Sequence, residues 1–392
     1  MAVWRSALPI VFIAVFLAFE DFIAVPSCVI SDVGDAPGGL GTSNMKAMIV
    51  SDLLLKGSHS SYVDTIFRNI FISRFFRKSF EKLEPDMLVV LGDITAKRTK
   101  LGNSDWPAAL QQFYRVIGPL GGVQLVVGLG ERDVGECHEL DREFVGKIAS
   151  DLPGLDRTGS ASFKFENISF FLINSIPLLC NENPLRFAVE RLIESESFDL
   201  RAQMKDSSLE AGVSDEMDKH SDGFPKLKTR PPSGTGPVLL LHFPLSRAAR
   251  GDERSSILGE NLPKFEREFT SHADRCDINE AAPSQLMQTL PLNETEYILQ
   301  SLRPRLIFSA HRQHFDVYNH IDGSREVTVP AMTWALGGRA SFVFASFGEN
   351  NTRVSNCSLA EEMHVLMSYL SLLLLLLAVT LISRGSYSIS LF

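Results

Sequence analysis

Residues able to hold metal ions or phosphate occur in this chain at the ends of apolar runs. Asp52 closes the run in "MIVSDLLLKG", and Asp93 closes "VVLGD". Glu131, Arg132 and Asp133 follow the run in "QLVVGLGERDVG". His242 ends "VLLLHFPL", and His311 ends "LIFSAHRQHF". Carboxylates and imidazoles together make a mixed oxygen and nitrogen donor set suited to Zn, Mn or Fe. Arg132 stays protonated and cannot serve as a general acid, but its guanidinium can clamp a phosphate through paired hydrogen bonds. A surface ion pair is the plainer reading of the same residue. Taken singly, an Asp after a strand is a common turn or helix-cap residue, and a His there a common hydrogen-bonded core residue. The order of the five blocks makes the set specific.

Positioning these residues requires a sheet. Apolar runs at 47–50, 87–91, 123–127, 168–174, 237–241 and 306–309 predict buried strands, with amphipathic helices near 61–83 and 105–117 between the first three. Such alternation implies α/β layers with functional loops at the carboxyl ends of the strands. With all these strands in one sheet, the five blocks converge on one edge. "ASFKFENISFFLINS" predicts a hairpin turning at Glu166-Asn167, and "REVTV" and "ASFVFASF" predict further antiparallel strands. Residues 26–45 read as a linker and 46–347 as the folded domain, with insertions at 202–236 and 247–290.

A net charge of −9 argues against nucleic acid as a partner, which needs a clustered basic face. The basic residues between Arg68 and Lys82 read as the solvated side of an amphipathic helix, with a membrane-facing patch as the second reading. Residues 1–25 carry a short apolar run, a signal or an anchor. The uncharged stretch 365–383 lies in a segment, 364–383, long enough to span a bilayer. Arg5 and Arg384 outside the two runs place the middle of the chain in a lumen. Sequons at Asn167, Asn293, Asn350 and Asn356 agree with that placement. Five cysteines without metal-type spacing allow one or two disulfides, whose pairing the sequence does not give.

The block order resembles the calcineurin-like metallophosphoesterases, whose pattern is D-x-H, G-D-x-x-D, G-N-H-D/E, a single H and G-H-x-H. "LLLHFPLSR", "RPRLIFSAH", "REVTVPAMTW" and "ASFVFASFG", followed by a C-terminal span, are similar to the membrane-anchored branch that removes ethanolamine phosphate from GPI-anchor glycans. The resemblance implies a four-layer α/β/β/α sandwich, two metal ions about 4 Å apart and an early-secretory lumenal setting, the endoplasmic reticulum or Golgi. It assigns Asp52, Asp93, Glu131, His242 and His311 as metal ligands, with Asp52 and Arg132 as catalytic residues and Asp133 as a structural acid. Leu54, Ala96, Arg132 and Gln313 depart from the pattern, as does Glu131 in place of Asn, and His314 is one residue out of register. Two lost imidazoles leave at most one well-formed divalent site. The expected function is a membrane-bound phosphodiesterase of a lipid-linked glycan. The alternative is a pseudoenzyme that binds such a phosphate, or a trafficking partner, without hydrolysis.

Overall fold

The computed structural model describes residues 11, 14–19, 25–32, 45–96, 105–180, 183–210, 236–247, 289–348 and 352–389. These form a mixed α/β structure with two six-stranded sheets. The first sheet runs, edge to edge, β1 (Ser27–Asp32), β12 (Thr352–Ser358), β11 (Ser341–Phe347), β2 (Met45–Val50), β3 (Met87–Val90) and β4 (Gln124–Val127). β2, β3 and β4 are parallel, while β1, β12 and β11 meet their neighbours antiparallel. Helix α1 (Asn69–Leu83) follows a short wider-wound segment, Asp64–Arg68, and joins β2 to β3; α2 (Asp105–Ile117) joins β3 to β4. After β4 come a single turn, α3 (Glu131–Val134), and α4 (Arg142–Ser150).

The second sheet runs β5 (Ala161–Phe165), β6 (Ile168–Ile173), β7 (Val238–Leu241), β8 (Leu306–Ser309), β10 (Arg325–Thr328) and β9 (Asp316–Asn319). Its inner four strands are parallel. α5 (Pro184–Glu210) leads from β6 and α6 (Leu292–Leu302) into β8. The expected hairpin is present: Phe165 faces Ile168, and Glu166 and Asn167 both have positive φ, 45° and 66°, as a two-residue turn between twisted strands requires.

Alternation along the strands builds two cores. Met45, Ala47 and Ile49 of β2 pack with Phe170, Leu172, Val238, Leu240 and Phe308 of the second sheet. The intervening Met48 and Val50, with Leu88 and Val90, join Phe71, Phe75 and Phe76 of α1 and Phe113 of α2. Phe171, Ile173, Leu239 and Leu241 similarly join Leu185, Val189 and Ile193 of α5 and Ile298 of α6. Strands buried on both faces need near-continuous apolar runs, which these have. Each buried large side chain contributes roughly 1.5–3 kcal/mol.

Several expectations change. The strands carrying the five blocks lie in two sheets, not one. β10, from "REVTV", is antiparallel to β9 but parallel to β8. Part of the supposed linker 26–45 is β1, held by register pairing to β12, and β12 extends the fold past residue 347. α5 continues to Glu210, into the insertion at 202–236; the rest of that insertion to 235, and 248–288 of the second, lie outside the described residues.

The C-terminal helix α7 (Glu362–Ile389) stands largely clear of the body, and Glu362–Val379 is long and apolar enough to cross a membrane by length and composition. Its root is fastened. Arg68 donates to Glu362 twice, at 2.7 and 2.9 Å, and Trp334 Nε1 donates to the Ala360 carbonyl at 3.1 Å. The Tyr369 ring lies 5.8 Å from Phe71 and 5.3 Å from Phe16 of the helical segment 14–19. Disulfides join Cys28 to Cys357 and Cys137 to Cys180; Cys276 lies outside the described residues.

Candidate metal and phosphate site

β2 and β3 keep hydrogen bonding beyond the sheet, and this extension carries the two aspartates. Asp52 N–H donates to the Gly92 carbonyl at 3.1 Å, Leu54 N–H to Asp93 at 3.1 Å and Leu55 N–H to Ile94 at 2.7 Å. Asp52, Leu54 and Asp93 adopt left-handed backbone, φ 49°, 51° and 53°, and His311 and Gln313 do the same at 65°. For residues with a Cβ this conformation costs about 1–2 kcal/mol each, so tertiary contacts must enforce it. Gly130 is what allows the β4 loop to close on this ledge, because a Cβ there would collide with the Asp93 carboxylate.

One ligand atom each from Asp52, Asp93 and His242 lie within 4.8 Å of one another, and all three residues are buried. Here sequence distance collapses: His242 comes from the second sheet, the aspartates from the first. His242 Nε2 is 3.6 Å from Asp93 Oδ1. His242 Nδ1 is 2.9 Å from the Leu91 carbonyl, which can only accept, so Nδ1 carries a proton and Nε2 is the nitrogen that offers a lone pair when the ring is neutral. Nε2 is buried with no hydrogen-bond partner. An orphaned buried acceptor costs about 1–3 kcal/mol, and a cation between it and the carboxylates would satisfy it. Burial pushes the Asp93 carboxyl up to about 8, with Asp52 and Asp133 adding to the rise and His242 opposing it. Burial disfavours charge on His242, yet Asp93 and Asp52 outweigh it and raise its pKa. The donor set is two oxygens and one nitrogen, and it fits a borderline divalent ion.

Arg132 is bound to the same carboxylate. Its backbone N–H donates to Asp93 Oδ1 at 3.0 Å, its Nε lies 3.1 Å from Asp93 Oδ2, and Nη1 reaches the Ala96 carbonyl at 3.5 Å. The ion-pair reading therefore describes the residue, with a buried partner. Asp133 accepts N–H groups from Gly130 (3.0 Å), Thr95 (2.9 Å) and Ile94 (3.3 Å), tying the β3 and β4 loops together.

The remaining expected ligands stand apart from the triad. Glu131 opens α3 and sends its charge toward His242 without joining the close group. His311 is half-buried, its ring 5.4 Å from that of His242 and 4.3 Å from that of Phe243. Leu54 is buried, and Gln313 and His314 are exposed.

Two arginines received no role from sequence reasoning. Arg247 ends the "HFPLSR" block and Arg312 follows His311; their only signal was position beside a candidate ligand. Burial first, and the charge of Arg247 second, press the Arg312 guanidinium's pKa down. The basic cluster on α1 borders a different cavity, of about 530 Å³, where Arg74 and Arg77 meet Arg115 of α2; none of the candidate ligands lines it. Asn167 and Asn293 are exposed and Asn356 half-buried, while Asn350 lies outside the described residues.

No family model matches the chain. It is 25% identical over 341 residues to metallophosphoesterase 1 of Danio rerio, covering 87% of this chain and 81% of that protein. It is 26% identical over 357 residues to metallophosphoesterase 1 of Rattus norvegicus, covering 88% and 80%. Among solved structures, a dimetal phosphatase from Danio rerio overlaps 81% of this chain and 97% of its own at 12% identity, with a TM-score of 0.43.

Proposed function

We propose that this metallophosphoesterase-like chain is a membrane-held phosphodiesterase of the endoplasmic reticulum or Golgi lumen. Its substrate would be ethanolamine phosphate on a GPI-anchor or related lipid-linked glycan, cleaved with a single divalent cation. The observation that carries this reading is the His242 Nε2 lone pair, buried, unpartnered and grouped with Asp52 and Asp93. The two disulfides support an oxidising compartment, and the exposed sequons at Asn167 and Asn293 agree with it. α7 supports the anchor, and the two cores support the four-layer arrangement.

Asp52, Asp93 and His242 would hold the ion, and Glu131 and His311 are the nearest further donors the sequence offers. A cation bound there supplies Lewis acidity and lowers the pKa of water. The chain's own residues do the rest. The Leu91 carbonyl fixes the His242 ring, and Ser51 Oγ, 2.9 Å from Asp52 Oδ2, steadies Asp52, which positions the attacking water. Arg132 presents its guanidinium edge to phosphate oxygens while holding Asp93. Because Arg132 cannot give up a proton, the leaving oxygen takes one from solvent.

The Arg132–Asp93 contact also favours a second reading. A guanidinium beside the Asp93 carboxylate supplies positive charge that a second ion would otherwise bring, as in a phosphate-binding pseudoenzyme. Turnover of an activated phosphodiester, then of an ethanolamine-phosphate glycolipid, separates the two. Metal-dependent hydrolysis falling at least about 100-fold in His242→Ala supports the enzyme. Ligand binding without turnover, lost in Arg132→Ala, supports the pseudoenzyme and rejects catalysis.

A further inference from the structure

Beyond the triad, Arg247, Arg305 and Arg312 each keep a buried donor that nothing among the described residues answers, and Arg247 and Arg312 are the two that flank the candidate ligands His242 and His311 in the chain. Arg247 Nη1 is fixed by Asp316 Oδ2 at 2.6 Å, and its guanidinium carbon lies 4.8 Å over the Tyr318 ring. That leaves the Nε and Nη2 edge, the one that grips two oxygens at once, buried and without a partner. Arg312 Nε is buried and unpartnered as well. The neighbouring acids are already engaged: Asp316 also accepts from Val317 N–H at 2.8 Å, and Glu326 accepts from Leu245 N–H at 3.1 Å and meets His320 at 2.9 Å. Arg312 lies in the loop that enters β9, whose first residue, Asp316, holds Arg247, so two cations with empty donors border one stretch of chain and can receive an oxyanion.

We infer that Arg247 and Arg312 form a second anion subsite beside His311, which takes a phosphate-class group of the substrate other than the one attacked at the triad. Chain connectivity sets its place. Arg312 is the residue after His311, whose ring lies 5.4 Å from that of His242, and Arg247 closes the loop leaving His242. A substrate engaging both sites carries two phosphate groups, or a phosphodiester and a second oxyanion, in one headgroup. This rests on the phosphoesterase reading only for what the anion belongs to; binding itself needs neither a cation nor hydrolysis.

The test is titration of the full chain in detergent, with chelator present, against inorganic phosphate, followed by ³¹P NMR or calorimetry. Wild type and Arg305→Gln, which removes another buried unpartnered guanidinium, should bind alike, whereas Arg312→Gln and Arg247→Gln should weaken binding at least about tenfold. Arg312→Gln should melt no lower than wild type, since it removes a buried unpartnered donor, so its loss of binding cannot be misfolding. No binding by wild type, equal binding by Arg312→Gln, or equal loss in Arg305→Gln would each overturn the subsite. A parallel titration with phosphatidylinositol micelles identifies the source. Tighter binding than inorganic phosphate, lost in Arg312→Gln, assigns a lipid headgroup; equal binding, likewise lost, assigns a free phosphate. Activity is not read, so a failed hydrolase reading leaves these outcomes standing.

Discussion

His242 uses its two ring nitrogens for different tasks: one donates to a backbone carbonyl, and the other is left bare toward two carboxylates. This division was only partly legible. The strand-end positions of Asp52, Asp93 and His242 follow from apolar runs, but the Leu91 carbonyl that sets the tautomer carries no side-chain signal. Arg132 was readable as a cation but not as the partner of Asp93. The left-handed backbone at Leu54 and Gln313 was not readable either, since neither residue favours it. That backbone is also the one adopted by Asp52, Asp93 and His311 in the same loops. Leu54→His with Gln313→His is therefore expected to raise bound metal from about one ion per chain to two, by elemental analysis. A value unchanged from wild type would mean these positions no longer face the site.

At the scale of elements, the parallel strands and α2 were legible because both-face burial demands unbroken apolar runs and helix amphipathicity is periodic. β1 was not, because it is a short edge strand, SCVISD, of mixed residues beside a Gly- and Asp-rich stretch, and it reads as linker until β12 is beside it. The segment Asp64–Arg68 joins the body to the root of α7 through Arg68, and Asp64 anchors it. Burial alone would raise the Asp64 carboxyl, but hydrogen bonds from Lys56 and Ser61 and the Lys56 charge outweigh this and bring it down to about 2. A depressed carboxyl stabilises the fold fully above its ordinary value of 3.8, and the contribution is lost as pH falls toward 2. Asp64→Asn should consequently melt below wild type at pH 7, with the gap closing between about pH 4 and 2 in thermal scans. A pH-independent gap would show that shape rather than charge holds the segment.

Across the whole molecule, segments far apart in the sequence are brought together. Cys28 and Cys357, 329 residues apart, are covalently joined where β1 meets β12. Helical residues 14–19 precede this bond and α7 follows it, and the two helices touch at Phe16 and Tyr369. No sequence spacing reveals such a pairing, because strand register decides it. Replacing both cysteines by Ser should cost about 2–5 kcal/mol in stability, measured by denaturant unfolding. An unchanged midpoint would mean that strand pairing alone holds β1. The overall charge of −9 makes a second point: the body repels free anionic substrates on average, so any phosphate it takes must be drawn in by the local arginines.

The proposed function requires Asp52, Asp93 and His242 to share one cation. Metal content of the purified full chain, determined by elemental analysis beside His242→Ala, addresses it most directly. The expected result is about one divalent ion per wild-type chain and almost none in the variant. Metal-free wild type after equilibration with Mn, Zn and Fe, or equal metal in the variant, would contradict it.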